Sequence, residues 1–378
     1  MKKICFISGS SPEFLGGISL YQINLINYSK QKKLDLDFTW IYPGERNRKY
    51  ELRGIHCIEI KSLKYPFLKE FDFARKARKI IDREDFEIIN THANWGYCLK
   101  SYAKKKGQRI VHTYHGVTLP YMKIQFERFG IFKYLFYPLL PLFYNLEEPP
   151  IKRANKIICV SEKVKKDLEK LYGKKKNMDI IRTGIDTNNF EKILKEKARK
   201  ILNLDINKIC GLYSGRGGYW NKGLDRAIKL SKEIYKINKN YRLIIIGADK
   251  KKCKKYLSNN FVLYKGLIDR NELPKYYSAV NFFFSLSRYE GGAPTLALSE
   301  AVASECLAIL SKDSKQEIFE NGKDCLMINQ YNKETAQQIL KVLKNKKELN
   351  KMKKLAKNKI KELSLEKWGK NYFEVLLR

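Results

Sequence analysis

The sequence predicts an α/β protein of two domains, each with a doubly wound parallel sheet. Apolar runs of strand length alternate with amphipathic helical segments in the first half, and the alternation restarts near residue 210. Several of these runs end in glycine, as expected where a parallel strand turns into the next helix. A chain of 378 residues is long enough for two domains of ordinary size.

The first half contains strand-like runs, most of them followed by segments with helical periodicity. The expected strands are residues 3–8, 36–42, 55–60, 87–90, 109–113, 156–160 and 180–181. The expected helices are residues 18–28, 73–81, 97–105 and 163–171. Ligands of such sheets bind at the carboxyl ends of the strands, where Gly16-Gly17 and His115-Gly116 fall.

The second half repeats this scheme after a stretch in which the apolar pattern thins. The expected strands are residues 210–214, 241–246, 261–264, 280–284, 307–311 and 325–328. The expected helices are residues 224–237, 273–279, 333–345, 348–363 and 366–377, with one more that opens at Pro294. We therefore expect a first domain over residues 1–185, a linker over 186–205 that contains a highly charged helix at 193–204, and a second domain over 206–363.

The segment Tyr121–Leu146 is crowded with aromatic and aliphatic side chains, with Lys123, Arg128 and Lys133 among them. Two prolines interrupt it, and at this length it does not span a bilayer. It is either an internal helix packed on the sheet or an interfacial element with lysines against anionic lipid. The net charge of the chain favours membrane contact.

Composition limits the class of protein. The chain has 76 Lys and Arg against 40 Asp and Glu, a formal charge of +36. The basic residues are scattered and no nucleic-acid-binding motif appears, so a specific nucleic acid is the least favoured partner. The eight cysteines stand singly, which predicts buried reduced thiols in a cytoplasmic protein. The apolar run at the N-terminus is too short for a signal peptide and is better interpreted as a first strand.

The stretch from 285 to 309 predicts a phosphate site. A buried strand leads to Gly291-Gly292, and Pro294 suits the first turn of the helix that follows. A glycine turn that opens a helix presents free N–H groups to an anion. Glu290 precedes the turn, and Glu300 lies about 9 Å along the helix from Pro294, roughly the distance from a diphosphate to its ribose. A core helix with a chance glutamate is the alternative for each feature alone, but together they favour a nucleotide-sugar site.

A second basic and glycine-rich loop follows the strand at 210–214. Arg216 and Lys222 flank it, and two cations at a sheet edge suit the charges of a diphosphate. An ordinary exposed basic loop is the alternative. Parallel topology brings this loop to the same sheet edge as Glu290, which favours the functional interpretation.

Other motifs carry less information. His112 and His115 point to opposite faces of a strand and cannot form a metal pair, so His112 is expected to be structural, with His92 a secondary candidate for the site. The D-x-D sequence at Asp35 and Asp37 lies far from the second-domain loops, so metal binding there is not expected. P-loop, G-x-S-x-G and H-E-x-x-H motifs are absent from the sequence.

With these residues in view, the chain resembles the retaining glycosyltransferases of family 4, whose GT-B fold has two Rossmann-like domains facing each other across a deep cleft. The resemblance covers nearly the whole chain. It rests on Gly16-Gly17, Tyr114-His115-Gly116, residues 157–161, residues 182–190, Gly215-Arg216, Lys222-Gly223, residues 244–247, Lys265-Gly266 and residues 287–303. The family usually has seven residues between two glutamates. Here nine separate Glu290 from Glu300, and Gly292 occupies the usual position.

The resemblance implies a retaining hexosyltransferase that moves a sugar from a UDP- or GDP-sugar to a glycan or lipid-linked glycan. It implies no cofactor and no divalent metal, and it places the protein in the cytoplasm or on the inner face of the cell membrane. The implied catalytic residues are His115, Arg216, Lys222 and Glu290. The implied donor-binding residues are Gly16, Gly17, Arg216, Lys222, Gly266, Leu267, Glu290, Gly292, Ala293, Pro294, Thr295, Leu296 and Glu300. Residues 364–378 would form a helix that crosses back to the first domain.

Within this resemblance each side chain has an implied role. Arg216 and Lys222 would neutralise the diphosphate, Glu300 would accept hydrogen bonds from the ribose, and Glu290 and His115 would contact the donor sugar. Two alternatives from other classes remain. A GT-B epimerase would share the fold but needs further acid–base residues. A non-catalytic polyanion- or nucleic-acid-binding protein would explain the charge but not the two glutamates and the phosphate turn together.

Overall fold

The computed structural model describes residues 1–14, 16–65, 68–191, 193–215 and 219–378. The chain forms two compact units, one comprising Met1–Thr183 with Leu365–Arg378 and the other Gly184–Ser364. Both are α/β units built on a largely parallel sheet, so the predicted fold class is confirmed. The last helix belongs to the first unit, and the second unit is one continuous stretch of chain.

The strands of the first unit form one sheet in the order β3-β4-β2-β1-β5-β6-β7-β8 within the described residues. They are β1 (Lys2–Ile7), β2 (Leu36–Gly44), β3 (Arg48–Glu51), β4 (His56–Lys61), β5 (Ile88–His92), β6 (Arg109–Tyr114), β7 (Lys156–Cys159) and β8 (Met178–Ile180). All neighbours are parallel except β3 and β4. The sequence did not predict β3, because a short charged edge strand shows no apolar alternation.

The second unit has an all-parallel sheet in the order β11-β10-β9-β12-β13-β14 over its described residues. Its strands are β9 (Ile209–Ser214), β10 (Tyr241–Ile246), β11 (Val262–Gly266), β12 (Phe282–Ser285), β13 (Leu307–Ser311) and β14 (Cys325–Ile328). The chain adds strands outward from β9 in one direction and outward from β12 in the other. The boundary between β9 and β12 is therefore the topological switch point, where ligands of such sheets bind.

The helices cover both faces of each sheet. They are α1 (Gly17–Gln31), α2 (Leu68–Arg83), α3 (Thr118–Glu127), α4 (Leu140–Arg153), α5 (Glu162–Tyr172), α6 (Lys195–Ile201), α7 (Leu224–Ile237), α8 (Lys250–Leu257), α9 (Leu273–Ala279), α10 (Leu296–Ala303), α11 (Lys333–Lys344), α12 (Lys346–Lys361) and α13 (Leu365–Leu377). The helix expected at 97–105 is instead a 3₁₀ segment, Ala93–Leu99. The left-handed backbone of Ser101, with φ of 59°, prevents an α-helix from continuing there.

Residues 186–205, expected to be a linker, lie inside the second unit. Phe190 is buried in its core, and α6 packs against α9. Arg199 of α6 is also buried, and its guanidinium donates to the Ala279 carbonyl at 2.8 Å. These contacts could not be predicted from the sequence, because the segment is highly charged. Isolated side chains anchor it, and it has no continuous apolar face.

Helix α13 fills the core of the first unit beside β1 and β5. Tyr372 Oη lies 2.8 Å from the Thr113 hydroxyl and accepts a hydrogen bond from Asn90 Nδ2 at 3.0 Å. Trp368 Nε1 donates to Tyr21 Oη at 3.2 Å. All eight cysteines are buried and free, as predicted. Among the described residues, no helix is long and apolar enough to cross a membrane.

Candidate active site

The loop after β9 is fixed against the loop after β12, at the switch point of the second sheet. Gly223 has a left-handed backbone (φ 70°), and a Cβ there would lie 2.1 Å from the Leu286 carbonyl oxygen. Only glycine allows this approach. Arg216, which the sequence placed in this loop as a diphosphate ligand, lies outside the described residues. Lys222 is therefore the cation of the predicted pair that can be placed.

Lys222 reaches the second loop directly. Its Nζ lies 2.7 Å from Glu290 Oε1, and the carboxylate is mostly buried. Sequence reasoning placed both residues at the same edge of the sheet, and the structure brings them into contact. A cation and a carboxylate thus stand together beside the switch point.

Arg288 joins the same two loops, and sequence reasoning missed it. Its Nη1 and Nη2 lie 2.9 and 2.6 Å from the two carboxylate oxygens of Asp225, at the start of α7. The guanidinium stacks on Trp220 at 4.1 Å and donates to the Trp220 carbonyl, while Arg288 N donates to Asn221 O at 2.8 Å. Such a two-pronged, stacked contact needs arginine and holds the loop that carries Lys222. No local sequence pattern signals it.

The turn before α10 differs from prediction at one residue. The helix begins at Leu296, and Thr295 is its N-cap, accepting the Leu298 N–H at 3.2 Å. Pro294 therefore precedes the helix and is not in its first turn. A threonine hydroxyl that satisfies a first-turn N–H defines the helix start more strongly than proline does. Gly292 is left-handed (φ 81°) and its carbonyl accepts the Glu317 N–H at 3.0 Å.

The residues of this turn that were predicted to bind the donor lie in order along it. Gly292, Ala293 and Pro294 are buried, and Thr295 and Leu296 are half-buried. Because α10 begins here, its first N–H groups and the positive end of its dipole lie at the carboxyl edge of β12. The turn and the helix start thus lie where the sequence predicted them, and the binding of a phosphate there stays a prediction.

Glu300 is buried in α10 and already has partners. Arg270 Nη2 lies 2.7 Å from Glu300 Oε1, and Tyr277 Oη donates to Oε2 at 3.1 Å. Burial raises the pKa of Glu300, and the nearby Arg270 guanidinium opposes that rise. Arg270 also stacks on Phe190, with its guanidinium 5.2 Å from the ring centre. Sequence reasoning identified Glu300 but missed Arg270, which gives no signal of its own.

Gly266 and Leu267, two of the predicted donor-binding residues, lie at the end of β11 and directly after it. Gly266 is left-handed (φ 71°), and its carbonyl accepts the Gly247 N–H at 2.6 Å. Leu267 is highly exposed. The 3₁₀ turn that supplies Arg270 follows directly and is capped by Asp269, so the arginine that pairs with Glu300 lies three residues beyond Leu267.

In the first unit, His115 and His92 lie together at the carboxyl ends of β6 and β5. His92 Nδ1 is 2.9 Å from His115 Nε2, and His92 Nε2 lies 2.6 Å from Asn90 Oδ1. Burial lowers the pKa of His115 to about 4, so its ring is neutral near pH 7. Burial also lowers the pKa of His92, so both rings are neutral and each carries one N–H. The Asn90 Oδ1 oxygen can only accept, so His92 Nε2 donates to it and His92 Nδ1 is an acceptor. His115 Nε2 therefore donates to His92 Nδ1, which leaves His115 Nδ1 as an acceptor. His112 is buried, and its Nδ1 lies 2.6 Å from the Thr91 hydroxyl. This position agrees with the structural role that the sequence predicted for it.

Gly16 and Gly17 open α1 on the same edge of that sheet. Gly16 is the N-cap, and a Cβ on it would lie 2.5 Å from the Phe14 ring. A Cβ on Gly17 would meet nothing within 4 Å, so open space adjoins the first turn of the helix. Asp35 forms an ion pair with the amino terminus, and Asp37 lies within ion-pair distance of His56. Both carboxylates of the D-x-D sequence therefore have partners within the first unit.

Glu147 of α4 is a further buried carboxylate, and sequence reasoning did not single it out. Its Oε1 accepts the Thr118 N–H at 2.6 Å at the start of α3. Burial raises its pKa to about 7. The Thr118 hydroxyl in turn contacts Asn94, which follows β5. Among the residues that the structure describes, no group of three or more His, Cys, Asp or Glu side chains is arranged to hold a metal ion.

Comparison with known proteins identifies the family. The model of Glycosyltransferase Family 4 matches residues 15–189, and that of Glycosyl transferases group 1 matches residues 195–359. This chain belongs to the family 4 glycosyltransferases. An uncharacterised glycosyltransferase of Methanocaldococcus jannaschii is 24% identical over 298 residues, covering 74% of this chain and 71% of that protein.

Two solved structures show the same GT-B fold. Sucrose-phosphate synthase from Thermosynechococcus elongatus superposes with a TM-score of 0.82 at 18% identity, covering 99% of this chain and 98% of that one. HepE of Anabaena in complex with UDP-glucose superposes with a TM-score of 0.73 at 14% identity, covering 100% of both chains. At these identities the structures establish the fold of this glycosyltransferase.

Proposed function

We propose that this glycosyltransferase moves a hexose from a nucleotide diphosphate-sugar to a glycan or lipid-linked glycan, with retention and without a divalent metal. The observation that carries the proposal is the Lys222–Glu290 contact of 2.7 Å, at the switch point of the second sheet and beside the start of α10. A related fold in HepE of Anabaena binds UDP-glucose, which supports a nucleotide-sugar donor and makes UDP the first base to test.

The donor contacts follow from the chemistry of each group. Lys222 and the first-turn N–H groups of α10 would bind the diphosphate, and the charge they supply would stabilise it as it leaves. Glu300 would accept hydrogen bonds from the ribose hydroxyls. Glu290 would accept hydrogen bonds from hydroxyls of the sugar. In the first unit, the neutral His115 offers an acceptor, Nδ1, for a hydroxyl group of a substrate.

The proposed step is a same-face displacement. The bond from the anomeric carbon to the β-phosphate oxygen breaks, and the acceptor oxygen bonds to that carbon on the same face. The acceptor proton passes to the departing phosphate oxygen. Glu290 is engaged by Lys222, and Glu300 is buried under Arg270, so a covalent glycosyl-enzyme on either carboxylate is less favoured.

Thermal unfolding with a panel of nucleotides tests the proposal. UDP, GDP, ADP, CMP and their sugar conjugates are compared with and without EDTA, since a ligand of the folded state raises Tm by mass action. We expect one diphosphate to stabilise selectively, with no effect of EDTA and with the shift lost in Lys222→Met. No stabilisation by any of them, or stabilisation that EDTA abolishes, contradicts the proposed donor site.

A further inference from the structure

The surface of the first unit that stands out is the 3₁₀ segment Gly130–Leu139, between α3 and α4. None of its residues is buried. Its exposed side chains are Ile131 at 78%, Phe132 at 66%, Tyr134 at 61%, Leu135 at 73% and Leu139 at 43%. We call these five residues the apolar tip. Contiguous exposed apolar side chains of this kind mark an interaction surface.

The apolar tip is held by a small hydrophobic core, which we call its support. Phe126, Phe143 and Leu146 form a small core between α3 and α4, and Phe136 of the 3₁₀ segment stacks on Phe126 at 5.3 Å. The segment is thus held through one side. Glu147, at the other end of the support, caps the first turn of α3.

Cations lie next to the tip. Residues 121–146 contain three basic residues and one acidic residue, a net charge of +2. The Arg128 guanidinium stacks over Phe129 at 4.5 Å, and Lys133 Nζ lies 5.5 Å from the Tyr134 ring centre. Lys123 is exposed on α3. Apolar side chains flanked by stacked cations and tyrosines match the boundary between acyl chains and anionic headgroups.

We propose that the apolar tip docks this glycosyltransferase onto an anionic lipid bilayer, with Phe132 and Leu135 entering the acyl region. A second copy of the chain is a poorer occupant, because it would bring another tip of the same positive charge against this one. The phosphates of a nucleic acid could pair with the cations, but a nucleic acid would leave the aliphatic side chains exposed to water. Docking does not depend on the proposed sugar transfer, because the tip forms no part of the candidate active site.

Vesicle sedimentation of the full chain without nucleotide tests this docking. Vesicles of phosphatidylcholine, with and without phosphatidylglycerol, are compared at low and moderate salt. The tip variant is Phe132→Ser/Leu135→Ser. The matched control is Leu194→Ser/Ile206→Ser, which removes two equally exposed aliphatic residues from the second unit. The charge variant is Lys123→Gln/Arg128→Gln.

We expect the chain and the control to bind vesicles that contain phosphatidylglycerol, and the tip variant to bind at least about tenfold more weakly. The charge variant should lose its preference for the anionic vesicles. In Phe132→Trp, brominated acyl chains should quench more fluorescence than in the parent. Equal binding by the tip variant and the control, or no binding by the parent, overturns the proposal. So does a tip variant whose only change is a smaller particle in gel filtration, which indicates a second copy as the occupant.

The variants also keep this proposal separate from the donor site. The tip variant and the control should unfold at the same temperature and respond equally to the nucleotide panel. If the chain binds vesicles but no nucleotide, the proposed donor site is wrong and the proposed docking surface is retained. If it binds a nucleotide but no vesicles, only the proposed docking surface is wrong.

Discussion

Lys222 Nζ lies 2.7 Å from Glu290 Oε1, so the cation proposed to bind a diphosphate already contacts a carboxylate of the same site. A bound diphosphate must share or take over that cation. The carboxylate therefore opposes the binding of a bare nucleotide, while its oxygens can accept hydrogen bonds from the sugar of an intact donor. Affinity and turnover should respond differently when its charge is removed.

We expect Glu290→Gln to bind the free nucleoside diphosphate about fivefold more tightly and to transfer sugar at least tenfold more slowly. The first effect is about 1 kcal/mol, the size of a partly exposed charge interaction. Titration calorimetry and a transfer assay with the donor identified by the panel measure the two. Glu233→Gln is the control, because its carboxylate pairs with Lys236 at the same distance on the outer face of α7. Weaker nucleotide binding by Glu290→Gln would refute this account of the pair.

Arg270 should keep Glu300 ionised. Burial raises the pKa of Glu300 and Arg270 opposes that rise, so Arg270→Met should raise the pKa further. A protonated carboxyl is a poorer acceptor for ribose hydroxyls, and nucleotide affinity in Arg270→Met should therefore fall as the pH is lowered. Titrations between about pH 5 and 8 measure this dependence. Arg270→Lys retains the charge and should follow the parent profile. A flat profile in Arg270→Met would contradict the assignment.

Arg288 is expected to position Lys222 through Asp225 and Trp220. Arg288→Lys keeps the charge but loses the two-pronged contact and the stacking, which should cost about 2 kcal/mol of unfolding free energy. Nucleotide affinity should also fall about tenfold, because the loop that carries Lys222 loses its anchor. A double-mutant cycle with Asp225→Asn isolates the pair. If the two substitutions add independently in both unfolding and nucleotide binding, Arg288 has no positioning role.

Glu147 should make the first unit less stable as the pH rises. Its pKa is about 7 in the folded chain against an ordinary value of 4.5, so the folded form holds a proton that the unfolded form has lost. The stability from this group is complete below about pH 4.5 and is lost as the pH rises through 7. Glu147→Gln keeps the acceptor for Thr118 and removes the ionisation. It should be about 3 kcal/mol more stable than the parent at pH 8 and nearly equal to it at pH 4.

Chemical denaturation across this pH range measures the difference. Glu148→Gln is the control, since that neighbouring carboxylate pairs with Lys152 at 2.8 Å. Its unfolding profile should run parallel to that of the parent. Parallel profiles for Glu147→Gln as well would show that the Glu147 carboxyl titrates normally in the folded chain.

The sequence was sufficient for the features that periodicity and topology determine. Apolar runs marked most of the strands, and parallel strands must end on one edge, which is why Lys222 and Glu290 could be expected near each other. The helix start was predicted at Pro294, because proline favours the first turn of a helix. The helix begins at Leu296 instead, because the hydroxyl that caps it belongs to Thr295. The burial of Phe190 in the second core was not expected, because one anchoring side chain leaves no periodic pattern in the sequence.

The contacts that escaped prediction are pairs whose partners lie far apart in sequence. Arg270 meets Glu300, Arg288 meets Asp225, and Glu147 meets the first turn of α3. In a chain with so many basic residues, nothing in the sequence distinguishes an arginine in a buried pair from an exposed one. Only the folded positions of two loops or two helices show which charge meets which.

Helix α13 completes the core of the first unit although the whole second unit precedes it in the chain. Its Tyr372 bonds to residues of β5 and β6, and Trp368 bonds to Tyr21 of α1. Ribosomes deliver a chain from its amino terminus, so the continuous second unit has all its residues while the first still lacks part of its core. The amino-terminal unit can therefore complete its core only after the second unit and α13 have been synthesised, and until then the apolar residues that α13 covers have no partner.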